Sequence, residues 1–161
     1  MNKKTEKIVY NLVFNALIAG LYAVLTVAIA PISYGAVQFR LSEIMTLLVL
    51  YNPAFAPGLI VGCFIANIFS PFGVIDMIVG TIATAIAVLS MTKIKNALLA
   101  SLMPTISNGL IIGTQLWYLL GLPLFETILY VAFGEFVVVT IVGLPLFKII
   151  TQRIPIKSEA H

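Results

Sequence analysis

Charged residues are scarce in this sequence. Only 9% of its 161 residues are Asp, Glu, Lys or Arg, whereas 61% are hydrophobic. A soluble domain carries roughly 25% charged residues, and the mean hydropathy of this chain is +1.12. A chain with so much apolar surface could not bury all of it from water as a soluble domain. The chain is therefore predicted to be an all-α membrane protein that lies in a lipid bilayer.

Residue types that carry much of enzyme chemistry are also rare. The one histidine, His161, is the last residue, which excludes His-based metal sites and His-dependent catalytic triads. The single cysteine, Cys63, cannot form an internal disulfide and is expected to serve packing. The sequence has no Gly-rich phosphate loop, and its lysines form no single basic patch. We therefore expect no catalytic site, no metal or cofactor and no nucleic-acid partner.

Apolar runs separated by Pro, Gly and Asn turns fill most of the chain. At about 20 residues per span, the length permits six transmembrane helices in one membrane domain over residues 1–161. The predicted spans cover approximately residues 8–30, 40–51, 54–70, 74–92, 97–120 and 125–147. The second is too short to cross about 30 Å of hydrocarbon by itself, so it is expected to tilt or to end below the surface.

Basic residues predict the orientation. With six spans and both termini cytoplasmic, eight of the nine Lys and Arg residues lie on the inner side, and only Arg40 lies outside. The inner set is Lys3, Lys4, Lys7, Lys93, Lys95, Lys148, Arg153 and Lys157. An odd number of spans would divide this set. The chain is therefore predicted to be a multi-pass protein of the cytoplasmic membrane.

In this topology, costly polar residues gather in the outer half of the bundle. They are Gln38, Arg40, Glu43, Asn67, Asp76, Asn108, Gln115 and Glu135. Ionisable groups within a membrane are functional candidates by default. Asn108 and Gln115 are seven residues apart and share a helical face, whereas Glu126 and Glu135 are nine apart and face roughly opposite ways. The pattern predicts a solute pocket that includes Glu135, open to the outside and closed towards the cytoplasm.

Structural roles would explain several of the same residues. Arg40 and Glu43 are three apart and would form an interfacial ion pair on a helix. Asp76 and Glu126 suit helix N-termini, and the two asparagines can bond between helices. Trp117 and Tyr118 fit an interfacial aromatic belt.

A separate stripe of small residues in the first helix, namely Ala16, Ala19, Gly20 and Ala23, would let another helix approach closely.

Several motifs resemble the QueT family of proposed queuosine-precursor transporters. They are Ala30-Pro31-Ile32-Ser33-Tyr34-Gly35, Gln38-Phe39-Arg40-Leu41-Ser42-Glu43, Gly62-Cys63-Phe64-Ile65-Ala66-Asn67, Asp76 and Gly80-Thr81. The similarity covers about residues 8–148 and is most specific between Ala30 and Thr81. It implies the six-helix fold of an S component, the substrate-binding subunit of an energy-coupling-factor (ECF) transporter. A transmembrane T subunit and two cytoplasmic ATPases are the implied partners.

The resemblance also implies a ligand and roles for individual residues. The ligand would be a 7-deazaguanine, such as its 7-cyano or 7-aminomethyl form, with Glu43, Asp76 or Glu135 accepting from ring nitrogens. Tyr34, Phe39 or Trp117 would stack on the ring, and residues 31–39 would form a lid. The small stripe on the first helix matches the Ala-x-x-x-Ala pattern that faces the T subunit in S components.

Other functions remain open on the sequence alone. The chain would also suit an S component for another vitamin or nucleobase-like solute. A proton-coupled carrier would use Glu43, Asp76 and Glu135 as relay acids. A structural or regulatory membrane subunit would bind no solute.

Overall fold

The computed structural model describes residues 2–35 and 37–153, and every regular element in these ranges is helical. The elements are α1 (Lys3–Ala28), the single turn α2 (Ala30–Ser33), α3 (Leu41–Tyr51), α4 (Pro53–Asn67), α5 (Val74–Met91), α6 (Ala97–Leu120) and α7. Helix α7 is continuous through three segments, Leu124–Glu135, Phe136–Gly143 and Leu144–Arg153. The predicted all-α class is confirmed.

Four of these helices are long and apolar enough to cross a membrane, namely α1, α5, α6 and α7. Helix α3 is shorter, with the 3₁₀ helix Leu41–Leu47 followed by the α-helical Leu48–Tyr51. Its 11 residues reach only about 20 Å, which is less than the ~30 Å hydrocarbon core. Helix α4 is short as well, so six complete spans and cytoplasmic termini stay a prediction. Lys157, one of the predicted inner charges, lies outside the described residues.

Helix ends follow local chemistry. The Asn96 side chain caps α6 by accepting from the backbone N–H groups of Leu98 and Leu99, at 2.9 and 3.2 Å. Gly121 ends the same helix with a φ of 65°, a left-handed conformation that glycine adopts without strain. The observed bounds of α6 equal the predicted 97–120. The predicted first span was two residues too long, because the chain leaves the helix at Ile29, just before Pro31.

Close packing between α1 and α4 depends on glycine and one asparagine. A Cβ atom on Gly62 would lie 2.9 Å from the Cα atom of Ala19, so only glycine fits. Asn15 accepts from the Gly58 N–H at 2.5 Å and donates to the Ala54 carbonyl at 2.8 Å. These bonds satisfy free backbone groups at the start of α4. These contacts hold α1 against α4, the helix that also carries Asn67.

The bundle has two ends, which we name by a residue at each. The Tyr34 end contains the end of α1, the 68–73 turn and the Gly121 turn, and the Lys93 end contains the 92–96 turn. The larger apolar core includes Leu47, Leu59 and Met91, which follow the buried polar residues towards the Lys93 end. Apolar side chains therefore pack beside the buried polar residues, and a pocket that is closed towards the cytoplasm stays a prediction.

Helix α7 changes geometry beside α3. Its middle segment, Phe136–Gly143, is π-helical and packs against the 3₁₀ segment Leu41–Leu47. A Cβ on Gly143 would approach the Leu47 side chain to 3.2 Å and the Ile44 side chain to 3.3 Å. π-helical turns are frequent at functional sites. Glu43 lies within the 3₁₀ segment of α3, and Glu135 directly precedes the π-helical segment of α7.

Candidate functional site

Glu43 is fully buried and is held by two helices. Its Oε1 atom accepts from the Tyr22 hydroxyl of α1 at 2.5 Å and from the Thr84 hydroxyl of α5 at 3.2 Å. Its Oε2 atom is buried and has no hydrogen-bond partner among the described residues. One side of the carboxyl group is therefore fixed, while the other remains able to accept.

Glu135 has the same half-paired arrangement on α7. It is 2% exposed, and its Oε1 atom accepts from the Asn108 side-chain amide of α6 at 2.8 Å. The second oxygen, Oε2, and the Asn108 carbonyl oxygen both lack a partner within the described ranges. The Asn108 side chain also faces Glu43. Asn108 therefore lies between the two buried carboxyl groups.

Arg40 is buried beside the aromatic ring of Tyr34. Its guanidinium carbon lies 5.5 Å from the ring centroid, and Nη1 is 3.9 Å from the Cys63 sulfur. The predicted ion pair with Glu43 does not form among the described contacts. Arg40 precedes the helix in an extended conformation, with φ of −87° and ψ of 90°, so helical i, i+3 geometry does not apply. The Arg40 Nε–H group has no partner in the described part of the chain.

Asp76 forms a second polar group nearer the Tyr34 end. Its carboxyl oxygens accept from the Ser70 hydroxyl and, at 2.5 Å, from the Gln115 side-chain amide. The Asn67 amide donates to the Asp76 backbone carbonyl at 3.0 Å and to the Cys63 sulfur at 3.4 Å. The carbonyl oxygens of Asn67 and Gln115 are buried and lack partners among the described residues. Asp76, a predicted site residue for which helix capping was the alternative, is thus part of a buried network.

Tyr34 and Gln38, which precede α3, contact the helices that carry these groups. The Tyr34 hydroxyl donates to the Ala66 carbonyl at the end of α4, at 2.5 Å. The Gln38 side chain is buried, and its Nε2 atom lacks a partner in the described ranges. The Gln38 backbone crosses α7 at Gly134, where an added Cβ would lie 2.4 Å from the Gln38 carbonyl oxygen. Glycine at this position lets the segment pass close to the helix that carries Glu135.

The three predicted stacking residues lie in different environments. Tyr34 is buried against Arg40, as described above. Phe39 is half-buried and contacts Phe133 edge to face, with ring centroids 6.4 Å apart. Trp117 is 41% exposed, in contrast to the buried polar groups. Its position fits the aromatic-belt interpretation rather than stacking on a buried solute.

Small residues of α1 do not form one exposed stripe. Ala16 and Gly20 are exposed, and an added Cβ on Gly20 would have no neighbour within 4 Å. Ala19 and Ala23 are buried within the chain, and Ala19 packs against Gly62 of α4. Only Ala16 and Gly20 of the four predicted residues are therefore exposed for a partner, because Ala19 and Ala23 are buried within the chain, and contact with a T subunit stays a prediction.

The sequence analysis overlooked three side chains beside Glu43. Tyr22 and Thr84 hold its carboxyl group, and Cys63 contacts Arg40, Asn67 and Thr84 instead of serving packing alone. A buried tyrosine usually pairs its hydroxyl, and Tyr22 lies within an apolar helix. A tyrosine within an apolar helix could therefore have indicated that its hydroxyl pairs with a buried polar group. Thr84 and Cys63 gave none, because both residue types are common in apolar helices.

The candidate site is the buried polar cluster formed by these residues. It comprises Gln38, Arg40, Glu43, Asn67, Asp76, Asn108, Gln115 and Glu135, each at most 7% exposed. Glu126, in contrast, is exposed on α7, as its helical phase predicted. Within residues 2–35 and 37–153, no group of three or more His, Cys, Asp or Glu residues is placed to hold a metal. The cluster offers donors and acceptors for binding a polar solute.

These features define a class of protein, a multi-pass membrane protein of the transport type. The chain belongs to the QueT family, because the family model described as "QueT transporter" matches residues 12–152. The resemblance seen in the sequence is thereby confirmed. The description of the family names it as a transporter family.

A curated relative supports the same grouping. Over 79 residues the chain is 37% identical to "Queuosine precursor transporter QueT" of Lactococcus lactis subsp. cremoris (strain MG1363). The match covers 48% of this chain and 46% of the relative, so the chain spans about half the length of the curated relative it matches. No solved structure gives a significant match to this chain.

Proposed function

We propose that this protein is the substrate-binding S component of an ATP-driven ECF transporter and takes up a queuosine precursor of the 7-deazaguanine class. The observation that carries this proposal is the set of unpartnered polar atoms in the buried polar cluster. They are Gln38 Nε2, Arg40 Nε, Glu43 Oε2, Asn67 Oδ1, Asn108 Oδ1, Gln115 Oε1 and Glu135 Oε2. A buried polar group without a partner costs about 1–3 kcal/mol, so a set this large favours a binding role over packing.

The chemistry of the cluster suits a guanine-like ring. Such a ring presents N–H donors beside a carbonyl acceptor. The free oxygens of Glu43 and Glu135 accept from N–H groups, whereas Arg40 and Gln38 donate to a carbonyl. Tyr34 supplies an aromatic face beside Arg40. The name of the matched relative, which includes "queuosine precursor transporter", points to the same ligand class.

Energy for uptake would come from partner subunits. The sequence has no ATP-binding loop, so we propose a transmembrane T subunit and two cytoplasmic ATPases as partners. The exposed Ala16 and Gly20 on α1 leave room for a close helix–helix contact with the T subunit. Residues 31–39 would act as the lid over the bound solute.

A proton-coupled carrier is the second candidate. Three buried carboxyl groups, Glu43, Asp76 and Glu135, favour it because such chains can relay protons. The two candidates differ in their energy source. A third possibility is an S component for another vitamin or nucleobase-like solute. It would use the same energy source as the first candidate and differ only in its ligand.

Uptake of radiolabelled 7-aminomethyl-7-deazaguanine into cells that express this chain tests the proposal. We expect uptake to require co-expressed T and ATPase subunits and to persist in the presence of a proton uncoupler. Uptake by the chain alone that an uncoupler abolishes would instead establish the proton-coupled carrier.

A further inference from the structure

A cavity of about 550 Å³, which we call the Lys93 cavity, lies at the Lys93 end of the bundle. Its walls come from the end of α3, the start of α4, the 92–96 turn with the helix ends beside it, and α7. Of the described residues, none of the buried polar cluster lines it. Its volume falls within the range of roughly 300–1,000 Å³ that is usual for small-molecule sites, and the proposed solute site makes no use of it.

Two kinds of surface meet in the Lys93 cavity. The buried side chains of Val49 and Met91 form its inner part, and the half-buried Phe147 continues the apolar wall along α7. Lys93 and Lys95 also line the cavity, and both are exposed, so their part of the wall reaches the surface of the protein. The cavity is therefore apolar inside and basic at its edge.

The positive charge of this edge is not balanced within the cavity walls. Among the described residues, no Asp or Glu lines the Lys93 cavity, and α1, which carries Glu6 in its first turn, contributes nothing to the walls. Lysines are common in the inner loops of membrane proteins, which explains the charge but not the cavity beside it. Positive charge next to an apolar hollow suits a molecule with an anionic head and an apolar tail.

We propose that the Lys93 cavity binds an anionic phospholipid of the surrounding bilayer. The headgroup phosphate would lie between Lys93 and Lys95, and an acyl chain would lie along Leu50, Ile94 and Phe147. Basic pockets between transmembrane helices are typical sites for anionic lipid headgroups, and the chain would cover apolar surface. A free phosphate ion would leave the apolar walls in contact with water, so the structure favours the lipid. This site does not rest on the proposed transport function.

Native mass spectrometry of the purified full-length chain tests the lipid site. The protein is incubated in detergent with equal amounts of dioleoyl-phosphatidylglycerol and dioleoyl-phosphatidylcholine, which share their acyl chains and differ in headgroup charge. A lysine beside an anionic lipid surface contributes about a fivefold gain in affinity. With two lysines, we expect the wild type to retain about tenfold more of the anionic lipid. Equal retention of the two lipids would overturn the proposal.

Charge-matched variants locate the lipid on the protein. In Lys93→Gln/Lys95→Gln, the preference for phosphatidylglycerol is expected to fall below about twofold. Lys4→Gln/Lys148→Gln removes the same charge from exposed positions at the same end that do not line the cavity. Its preference should therefore stay as in the wild type. An equal fall in both double variants would show a general effect of net charge, and the assigned site would be wrong.

Filling the cavity tests its apolar part. Ala97→Trp adds a large side chain at a half-buried position in the wall, whereas Leu98→Trp adds it at the next position, which is exposed and outside the wall. Retention of phosphatidylglycerol should fall about fivefold or more in the first variant and stay unchanged in the second. Equal retention by the two variants would contradict binding inside the cavity. The lysine comparison does not depend on whether Ala97→Trp folds.

Other occupants of the Lys93 cavity would give different results. If inorganic phosphate at the same concentration as the lipid displaces phosphatidylglycerol, the cavity holds a soluble anion and the lipid assignment is wrong. The remaining alternative is a protein partner. If Lys93→Gln/Lys95→Gln keeps the full lipid preference but no longer co-purifies with co-expressed T and ATPase subunits, the cavity is a protein interface and the lipid site is overturned.

Discussion

At the scale of single residues, the carboxyl groups of Glu43 and Glu135 are each hydrogen-bonded through one oxygen and unpaired at the other among the described residues. Glu43 is oriented by Tyr22 and Thr84, and Glu135 by Asn108. Fixed orientation lowers the entropy that is lost when a solute binds. In the proposed complex, the unpaired oxygen would accept a hydrogen bond from the solute. Positioning residues should therefore affect affinity without contacting the ligand.

Removing one positioning hydroxyl tests this idea. Tyr22→Phe keeps the buried ring but loses the 2.5 Å hydrogen bond to Glu43. A hydrogen bond to a charged group is worth about 1.5–3 kcal/mol, so we expect affinity for the deazaguanine to fall about tenfold or more. Calorimetry on the purified protein measures this. Tyr118→Phe is the matched control because Tyr118 is 78% exposed, and equal affinities in both variants would contradict a positioning role for Tyr22.

The two acids themselves give a stronger prediction. Glu43→Gln and Glu135→Gln should each weaken binding of the aminomethyl ligand at least tenfold, because the amide replaces an acceptor by a donor and removes the charge. Unchanged affinity in both variants would remove these residues from the site.

The sequence predicted burial best for polar residues, because a polar side chain is costly to place within a membrane. Arg40, Asn67, Asp76 and Gln115 were singled out because polar groups are rare in so apolar a chain, and the structure buries them. Trp117 was ambiguous because its indole suits both a binding site and an interface. Helical spacing also could not tell which small residues of α1 pack internally, since that depends on where α4 lies.

At the scale of elements, helical phase placed residues well on regular helices. Asn108 and Gln115 lie on one buried face of α6, but they bond to different neighbours, Glu135 of α7 and Asp76 of α5. Helix α6 thus connects both parts of the buried polar cluster. The π-helical segment of α7 had no sequence signal, because π geometry arises from packing against neighbouring elements.

Glycine at the contact between α7 and the 34–40 segment is expected to be essential. In Gly134→Ala the new methyl group would lie 2.4 Å from the Gln38 carbonyl oxygen, so the segment must shift. Overpacking of this kind costs about 1–3 kcal/mol. We expect at least tenfold weaker ligand binding by calorimetry, because Gln38 and Arg40 move with the segment.

Gly20→Ala is the matched control for that change. No atom lies within 4 Å of the Cβ that it would add on α1, and alanine favours a helix over glycine. Binding should remain as in the wild type. Equal behaviour of the two variants would show that the 34–40 segment does not need its close approach to α7.

The contact between α1 and α4 predicts an effect on stability alone. Asn15→Ala leaves the Gly58 N–H and the Ala54 carbonyl without their side-chain partner. Such a loss costs about 1–3 kcal/mol, so the thermal midpoint in detergent should fall by several degrees. Leu12→Ala, at an exposed position on the same helix, should change it little. A lower midpoint for Leu12→Ala than for Asn15→Ala would contradict this role.

At the scale of the whole molecule, the helical class followed from composition, whereas the number of complete spans did not. Helices α3 and α4 are short because the chain leaves helical geometry at Asn52, between them. Apolar composition alone cannot reveal how deep such segments lie. The charge distribution still predicts the orientation, because the exposed Lys93 and Lys95 lie at the end opposite the Tyr34 segment.

Cysteine labelling tests that orientation. Glu126→Cys and Lys95→Cys place exposed thiols at opposite ends of the bundle in a Cys63→Ser background. An impermeant maleimide applied to intact cells should label position 126 and should label position 95 only after lysis. The reverse pattern would contradict cytoplasmic termini.

The central claim is that the buried polar cluster captures a queuosine precursor. Native mass spectrometry of the full-length protein, incubated with an equimolar mixture of 7-deazaguanines and unrelated vitamins, tests it most directly. The account predicts a one-to-one complex with a 7-deazaguanine that disappears in the folded Glu43→Gln/Glu135→Gln double variant. A complex with an unrelated vitamin, no complex at all, or equal retention by the double variant would contradict it.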